Sequence, residues 1–155
     1  MAELLDAIDR KILRTLQDHG RLPVVELADR VNLTKTPCSY RMRRLEKSGY
    51  IRGYRAELDP VLLDAGRIMI VMVSLSQTSD DALETFNEAV RRIPEVQGCY
   101  MIAGNFDYLL KVRTKDVDEY RSVLGHKFSK LPHVHQTHSF VVMELVKDDI
   151  TVPVT

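Results

Sequence analysis

The chain has 155 residues, 45% apolar and 28% charged, and its 22 Lys/Arg balance 22 Asp/Glu. Such a composition excludes a disordered chain, and the longest apolar run, Ile68 to Val73, is far too short to span a bilayer as a helix. Cys38 and Cys99 fall in different halves with no metal spacing, and the N-terminus carries acids where an export signal would be basic; a reduced, cytoplasmic protein without disulfides is the expectation.

Zero net charge conceals a division. Residues 1–60 hold 12 Lys/Arg and 9 Asp/Glu, a surplus of +3, whereas residues 61–155 hold 10 and 13, a deficit of −3. A basic front and an acidic back predict two small domains with two tasks, and domains this small often lean on oligomerisation for stability.

Leu5, Ile8, Ile12 and Leu16 recur at helical spacing, with Asp6 and Asp9 near the start and Lys11 and Arg14 further on, an order that suits the helix dipole. Gly20 stops this helix. Pro23 suits the first turn of a second, short helix whose stripe is Val24, Leu27, Ala28 and Val31. Asn32-Leu33 form a turn, and Thr34 is an N-cap whose hydroxyl is placed to accept a free N–H of the third helix. Pro37 is tolerated in that first turn, and Gly49 ends the helix.

Along the third helix Cys38, Met42 and Leu45 share one face. At about 100° per residue, Thr36, Tyr40, Arg43, Arg44 and Lys47 fall opposite, with Ser39 on the flank. From residue 35 to 55, seven Lys/Arg meet one acid, Glu46, giving +6 over 21 residues. A cationic face of this width, on the last helix of a helix-turn-helix, suits a DNA major groove: its side chains reach phosphates and base edges. Thr34, Lys35, Thr36, Ser39, Tyr40, Arg43, Arg44, Lys47 and Arg52 are the candidate DNA contacts. Arg52 and Arg55 ride on an extended segment that reads as a linker strand ending at Pro60. The expected division is a helix-turn-helix over 1–50, a linker strand over 51–66 and a second domain over 67–155.

The second half alternates strand and helix. Ile68–Leu75 is a strand, Thr78 to Asp81 a helix start of capping-box type, and Leu83, Phe86, Val90 and Ile93 the inward stripe of a helix that Pro94 ends. Cys99–Ala103 and Tyr108–Val112 are strands joined by a tight turn at Gly104-Asn105. Asp116 opens a helix with Val117, Tyr120, Leu124, Phe128 and Leu131 inward, Pro132 closes it, and Ser139–Val146 is the last strand. The order βαββαβ is that of a ferredoxin-like fold, α+β in class. Two helices cover one face of such a sheet, so its open face predicts dimerisation. No nucleophile–base set, phosphate loop or carboxylate pair suggests catalysis, and no cofactor is implied. His133, His135 and His138 lack the further ligands a metal site needs, and read as structural or surface residues.

A helix-turn-helix ending TPCSYRMRRLEKSGYIRGYRAELDP, followed by a βαββαβ domain containing CYMIAGNFDYLLKV, strongly resembles the leucine-responsive/asparagine-responsive (Lrp/AsnC) transcriptional regulators, over roughly Leu5 to Lys147. The resemblance implies a winged-helix-like DNA-binding domain and a ferredoxin-like domain that dimerises, assembles further, often to octamers, and binds amino acids between subunits. It implies double-stranded DNA as partner and a cytoplasmic, nucleoid-associated location. The family's G-x-x-D ligand loop falls on Gly104, Asn105, Phe106 and Asp107, followed by Tyr108; Met101, Thr137 and Ser139 complete the implied effector set. Asn105 stands where many members carry Asp, which removes one negative charge from the loop. Read from residues alone, the same loop is first of all a plain hairpin whose Gly, Asn and Asp serve turn geometry, and it is the resemblance that turns the reading toward a ligand loop. An architectural DNA-wrapping protein without an effector is the alternative functional reading.

Overall fold

The computed structural model describes residues 4–155, which divide into two compact units: residues 4–58 with 148–155, and residues 59–147. The first unit holds three helices, α1 (Ala7–Asp18), α2 (Val24–Arg30) and α3 (Lys35–Lys47). Asp6 caps α1 reciprocally: its carboxylate accepts the Asp9 N–H at 2.8 Å, while the Asp9 side chain accepts the Asp6 N–H at 3.2 Å. Ile12, Leu16, Leu27, Ala28, Val31, Cys38 and Leu45 are buried together, so the three apolar stripes read from the sequence form one core. Asn32 takes a left-handed conformation (φ 58°) in the turn, and Gly49 (φ 80°) does the same just past α3, where a residue without Cβ carries no steric cost.

Two local expectations, the Thr34 cap and the linker strand, are corrected here. Thr34 is the N-cap of α3, but its hydroxyl makes no capping hydrogen bond. The segment over 51–66 forms no strand; Ile51 N–H donates to Leu45 O at 3.1 Å and the Tyr54 hydroxyl donates to Glu46 at 2.9 Å, so residues 51–54 are tied back to α3 instead of pairing with another strand. Burial, with the Glu46 carboxylate adding to it, pushes the Tyr54 hydroxyl up to about 12. Residues 148–155 join the first unit rather than the second: the Gln17 carboxamide donates to Val152 O at 2.9 Å and accepts its N–H at 2.6 Å, and Arg14 donates to Val154 O at 3.1 Å.

The second unit is a four-stranded antiparallel sheet in the order β2-β3-β1-β4, with β1 Arg67–Leu75, β2 Val96–Met101, β3 Tyr108–Thr114 and β4 Val134–Val141. Helices α4 (Asp80–Arg91) and α5 (Val117–His126) alternate with the strands, giving βαββαβ, and a short 3-10 turn, Phe128–Lys130, follows α5. Met69, Val71, Val73 and Leu75 from β1, with Tyr108, Leu110 and Val112 from β3, pack beneath Phe86, Val90, Tyr120 and Val123 of the helices. Phe86 and Tyr108 meet at 4.5 Å between ring centroids. Each such large apolar side chain contributes about 1.5–3 kcal/mol on burial.

The opposite face of the sheet carries Ile70, Met72 and Leu109, half-buried, beside exposed Tyr100 and Phe140. Several boundaries differ from the sequence expectation. Ser79, between Thr78 and Asp81, is the residue that caps α4, accepting the Ala82 N–H at 3.4 Å. Val117 is exposed and α5 stops at His126, so only Tyr120, Val123, Phe128 and Leu131 of that stretch are buried. The last strand spans Val134–Val141, not Ser139–Val146, because β4 is an edge strand whose outward positions hold His135, Gln136 and His138 and therefore lack a β-branched signature.

Candidate DNA-reading face and effector loop

The buried side of α3 is fixed by Cys38 and Leu45, both shielded from solvent. Around the helix, Thr36, Tyr40, Arg43 and Lys47 are exposed, with Tyr40 at 69%, as are Thr34, Lys35 and Arg52; Ser39 is half-buried on the flank. Arg44 does not join that face. Its guanidinium pairs with Asp9 of α1, whose side chain is fully buried, and Arg41 pairs with the same Asp9 at 2.8 Å and with Asp6 at 2.6 Å. Placing Arg44 among the groove-facing residues is thus corrected: it lies about 120° round the helix from Cys38, on the flank that also carries Arg41 at about 60°, and α1 supplies a carboxylate on that side.

The cluster sorts the basic residues by role. Two arginines are spent on two acids of α1, which fixes the roll of α3 against α1. Lys35, Arg43, Lys47 and Arg52 remain exposed. Sequence reasoning read Asp9 only as an acid suited to the helix dipole and Arg41 only as part of the cationic block, and missed their pairing; the signal was an acid next to the Leu5–Ile8–Ile12–Leu16 stripe, since a buried carboxylate needs a paired cation.

The Asp9 N–H first, then the Arg41 guanidinium, hold the Asp6 carboxyl at about 2, below its ordinary 3.8. A lowered folded-state value means stability that is complete above the unfolded value and lost as pH falls through the folded one. The helical unit is therefore expected to lose stability between about pH 4 and pH 2, and Asp6→Asn should flatten that part of the acid-unfolding profile measured by circular dichroism.

In the second unit the connection from β2 to β3 is a run of bends over 103–107, closed by Ile102 N–H donating to Asp107 O at 2.9 Å, and not a two-residue turn. Neither Gly104 nor Asn105 has a positive φ, and a Cβ on Gly104 would meet nothing within 4 Å. Turn geometry therefore does not demand this glycine. Asp107 anchors the loop: its N–H donates to Val73 O at 3.0 Å, and its Oδ2 accepts the Leu75 N–H at 2.7 Å. Val73 is paired on its other side with Thr137, so the loop and Thr137 gather at one end of the sheet. Phe106 meets His138 edge-on, at 5.3 Å between centroids.

Two of the expected effector residues are differently placed. The Ser139 hydroxyl is engaged with that of Tyr120, which lies buried beneath the sheet. Tyr108 is 1% exposed and faces the helices, while Met101, at the end of β2, is exposed.

Residues 5–52 match the family model of the winged helix-turn-helix DNA-binding domain, and residues 68–152 match that of the Lrp/AsnC ligand binding domain. The chain is 54% identical over 146 residues to a proline dehydrogenase transcriptional activator of Rhodobacter capsulatus, covering 94% of this chain and 95% of the relative. It is 48% identical over 143 residues to the leucine-responsive regulatory protein of Escherichia coli K12, covering 92% and 87%. Among solved structures, a Neisseria meningitidis transcriptional regulator in complex with L-Met superposes with a TM-score of 0.91 at 35% identity, covering 97% of each chain. An AsnC family regulator from Agrobacterium tumefaciens gives 0.92 at 35%, covering 96% and 97%. These relatives are regulators and not enzymes, and with a DNA-binding unit ahead of a ligand-binding unit, this chain belongs to the Lrp/AsnC family of transcriptional regulators.

Proposed function

We propose that the protein reads operator DNA with the outward side of α3 and controls genes of amino-acid metabolism in response to an amino acid held at the 102–107 loop between subunits. The observation that carries the DNA half is the sorting of cations: Arg41 and Arg44 are neutralised by Asp6 and Asp9, while Lys35, Thr36, Tyr40, Arg43 and Lys47 face outward. Arg52 adds a cation on the segment tied back to α3. Two copies related by a two-fold axis would present two such helices to half-sites about one helical turn apart, or a multiple of it. The open sheet face, with Tyr100 and Phe140 exposed beside Ile70, Met72 and Leu109, favours a second copy of the chain as its cover, and further assembly to an octamer would bring loops of different dimers together. Such a protein works on chromosomal DNA in the cytoplasm.

The effector half rests on a glycine that the turn itself does not require, set beside a carboxylate anchored to β1. It is tested by thermal shift with the twenty amino acids. One or a few should raise the unfolding midpoint, because a ligand that binds only the native state stabilises it, by about 2.7 kcal/mol at a hundredfold excess over Kd. Asp107→Asn is the informative variant, since it retains an oxygen for the Leu75 N–H while removing the charge. Its response should vanish without loss of fold. A flat profile across the panel for the native chain would favour the architectural DNA-wrapping reading instead.

A further inference from the structure

Tyr40 is the most exposed aromatic side chain among the described residues, and it lies in the middle of the cationic side of α3. The next most exposed, Tyr100 and Phe140, lie on the open face of the sheet, where a second copy of the chain is the proposed cover. Tyr54 keeps its hydroxyl on Glu46 at 2.9 Å, whereas the Tyr40 hydroxyl has no partner among the described residues. A single exposed ring is ordinary in itself. The position of this one gives it meaning.

Tyr40 stands about 200° round the helix from buried Cys38, and Thr36 about 160°, so both lie almost opposite the core, in the first half of α3. A recognition helix meets base edges with its N-terminal residues. Lys35 stands about 60° from Cys38, on the flank; Arg43 and Lys47 belong to the second half of the helix, and Arg52 follows it. Long cations thus surround Thr36 and Tyr40 and are placed for phosphate, which positions the helix without selecting a sequence. At the floor of the groove stand a threonine methyl and an aromatic ring. Among the base edges of the major groove, the apolar group that such side chains can cover is the C5 methyl of thymine.

We propose that Tyr40 is a specificity-determining residue that reads thymine, its ring packed on the C5 methyl of a thymine at one fixed position in each half-site, beside the Thr36 methyl. The assignment rests on the reading of α3 as the DNA-reading helix, and it names the base that this helix selects. One methyl taken out of water against the ring is worth about fourfold in affinity, so two half-sites give about 15-fold. Ring and methyl carry no charge. Their contribution is therefore insensitive to salt, unlike that of a phosphate contact.

The test starts with selection of a consensus site from a random duplex library by the full chain. Gel-shift titrations of that site then replace each thymine in turn, in both half-sites, by deoxyuridine, which removes the methyl and keeps the pairing. One symmetric pair of replacements should cost the native chain about 15-fold, equally at every salt concentration, and should cost Tyr40→Ala nothing. Tyr40→Phe should keep the whole effect, because it keeps the ring. Tyr40 is exposed, so both variants leave the core intact, and an unchanged unfolding midpoint by circular dichroism checks this. Deoxyuridine sensitivity that persists in Tyr40→Ala would overturn the assignment. A loss in Tyr40→Ala that is uniform across sequences would overturn it too, since it marks a phosphate contact through the hydroxyl, and so would an effect that disappears in Tyr40→Phe. In each of these cases the consensus selected by the native chain leaves α3 standing as the DNA-reading helix. If the native chain enriches no sequence, both readings fall together.

Discussion

Asp9→Ala is expected to destabilise the helical unit by about 3 kcal/mol, since removing one partner of a buried ion pair leaves the other without compensation. The side chain of Asp9 is fully buried, and it is the only acid shared by Arg41 and Arg44 in the pairs described above. Both arginines are about a quarter exposed, so water recovers part of their solvation and the loss sits at the lower end of the range for such changes. In a unit of this size the thermal midpoint should fall by about 10–20 °C. Asp9→Asn should cost less, because it keeps an acceptor for the Asp6 N–H. At temperatures where Asp9→Ala remains folded, operator affinity should still drop, because α3 loses the contact that fixes its roll against α1. An unchanged unfolding midpoint would show that the cluster contributes nothing net and that α3 is held by its apolar face alone.

Arg43→Glu is expected to weaken operator binding at least 100-fold at moderate salt, through lost phosphate contacts in both copies and new repulsion in their place. The salt dependence separates this residue from its neighbour. With Lys35, Arg43, Lys47 and Arg52 as the proposed phosphate contacts, about four per chain, a dimer should show a slope of log affinity on log salt of roughly −7; Arg43→Ala should bring it to roughly −5. Arg44→Ala should leave the slope near its native value and lower the thermal midpoint instead, since its charge is engaged with Asp9. Gel-shift titrations at several salt concentrations would decide. A slope that falls in Arg44→Ala and holds in Arg43→Ala would reverse the two assignments.

The sequence by itself determined the order of the five helices and the four sheet strands, the two functional halves and the family, but it also offered a linker strand that the fold does not contain. Each rests on a local signal: apolar spacing of 3.6 or 2 along the chain, a block of seven cations, and two signature segments. Leu27, Ala28 and Val31 are buried as their spacing required, and so are Met69, Val71 and Val73. Boundaries were legible only where a cap or breaker marked them. The edge strand β4, polar on its outward side, carried no such mark.

Only the tertiary structure decided how the charges are used. Periodicity alone sets Arg43 and Arg44 within one step of each other on a single cationic face; α1 divides them, because its buried Asp9 draws in whichever arginine lies on its side of α3. The loop at Gly104 likewise read as a tight turn until its backbone showed that no left-handed residue was needed and that Asp107 is anchored to β1. Sequence spacing fixes which face a side chain takes within its own element, while the partner it meets there is fixed only when elements distant in the chain pack together.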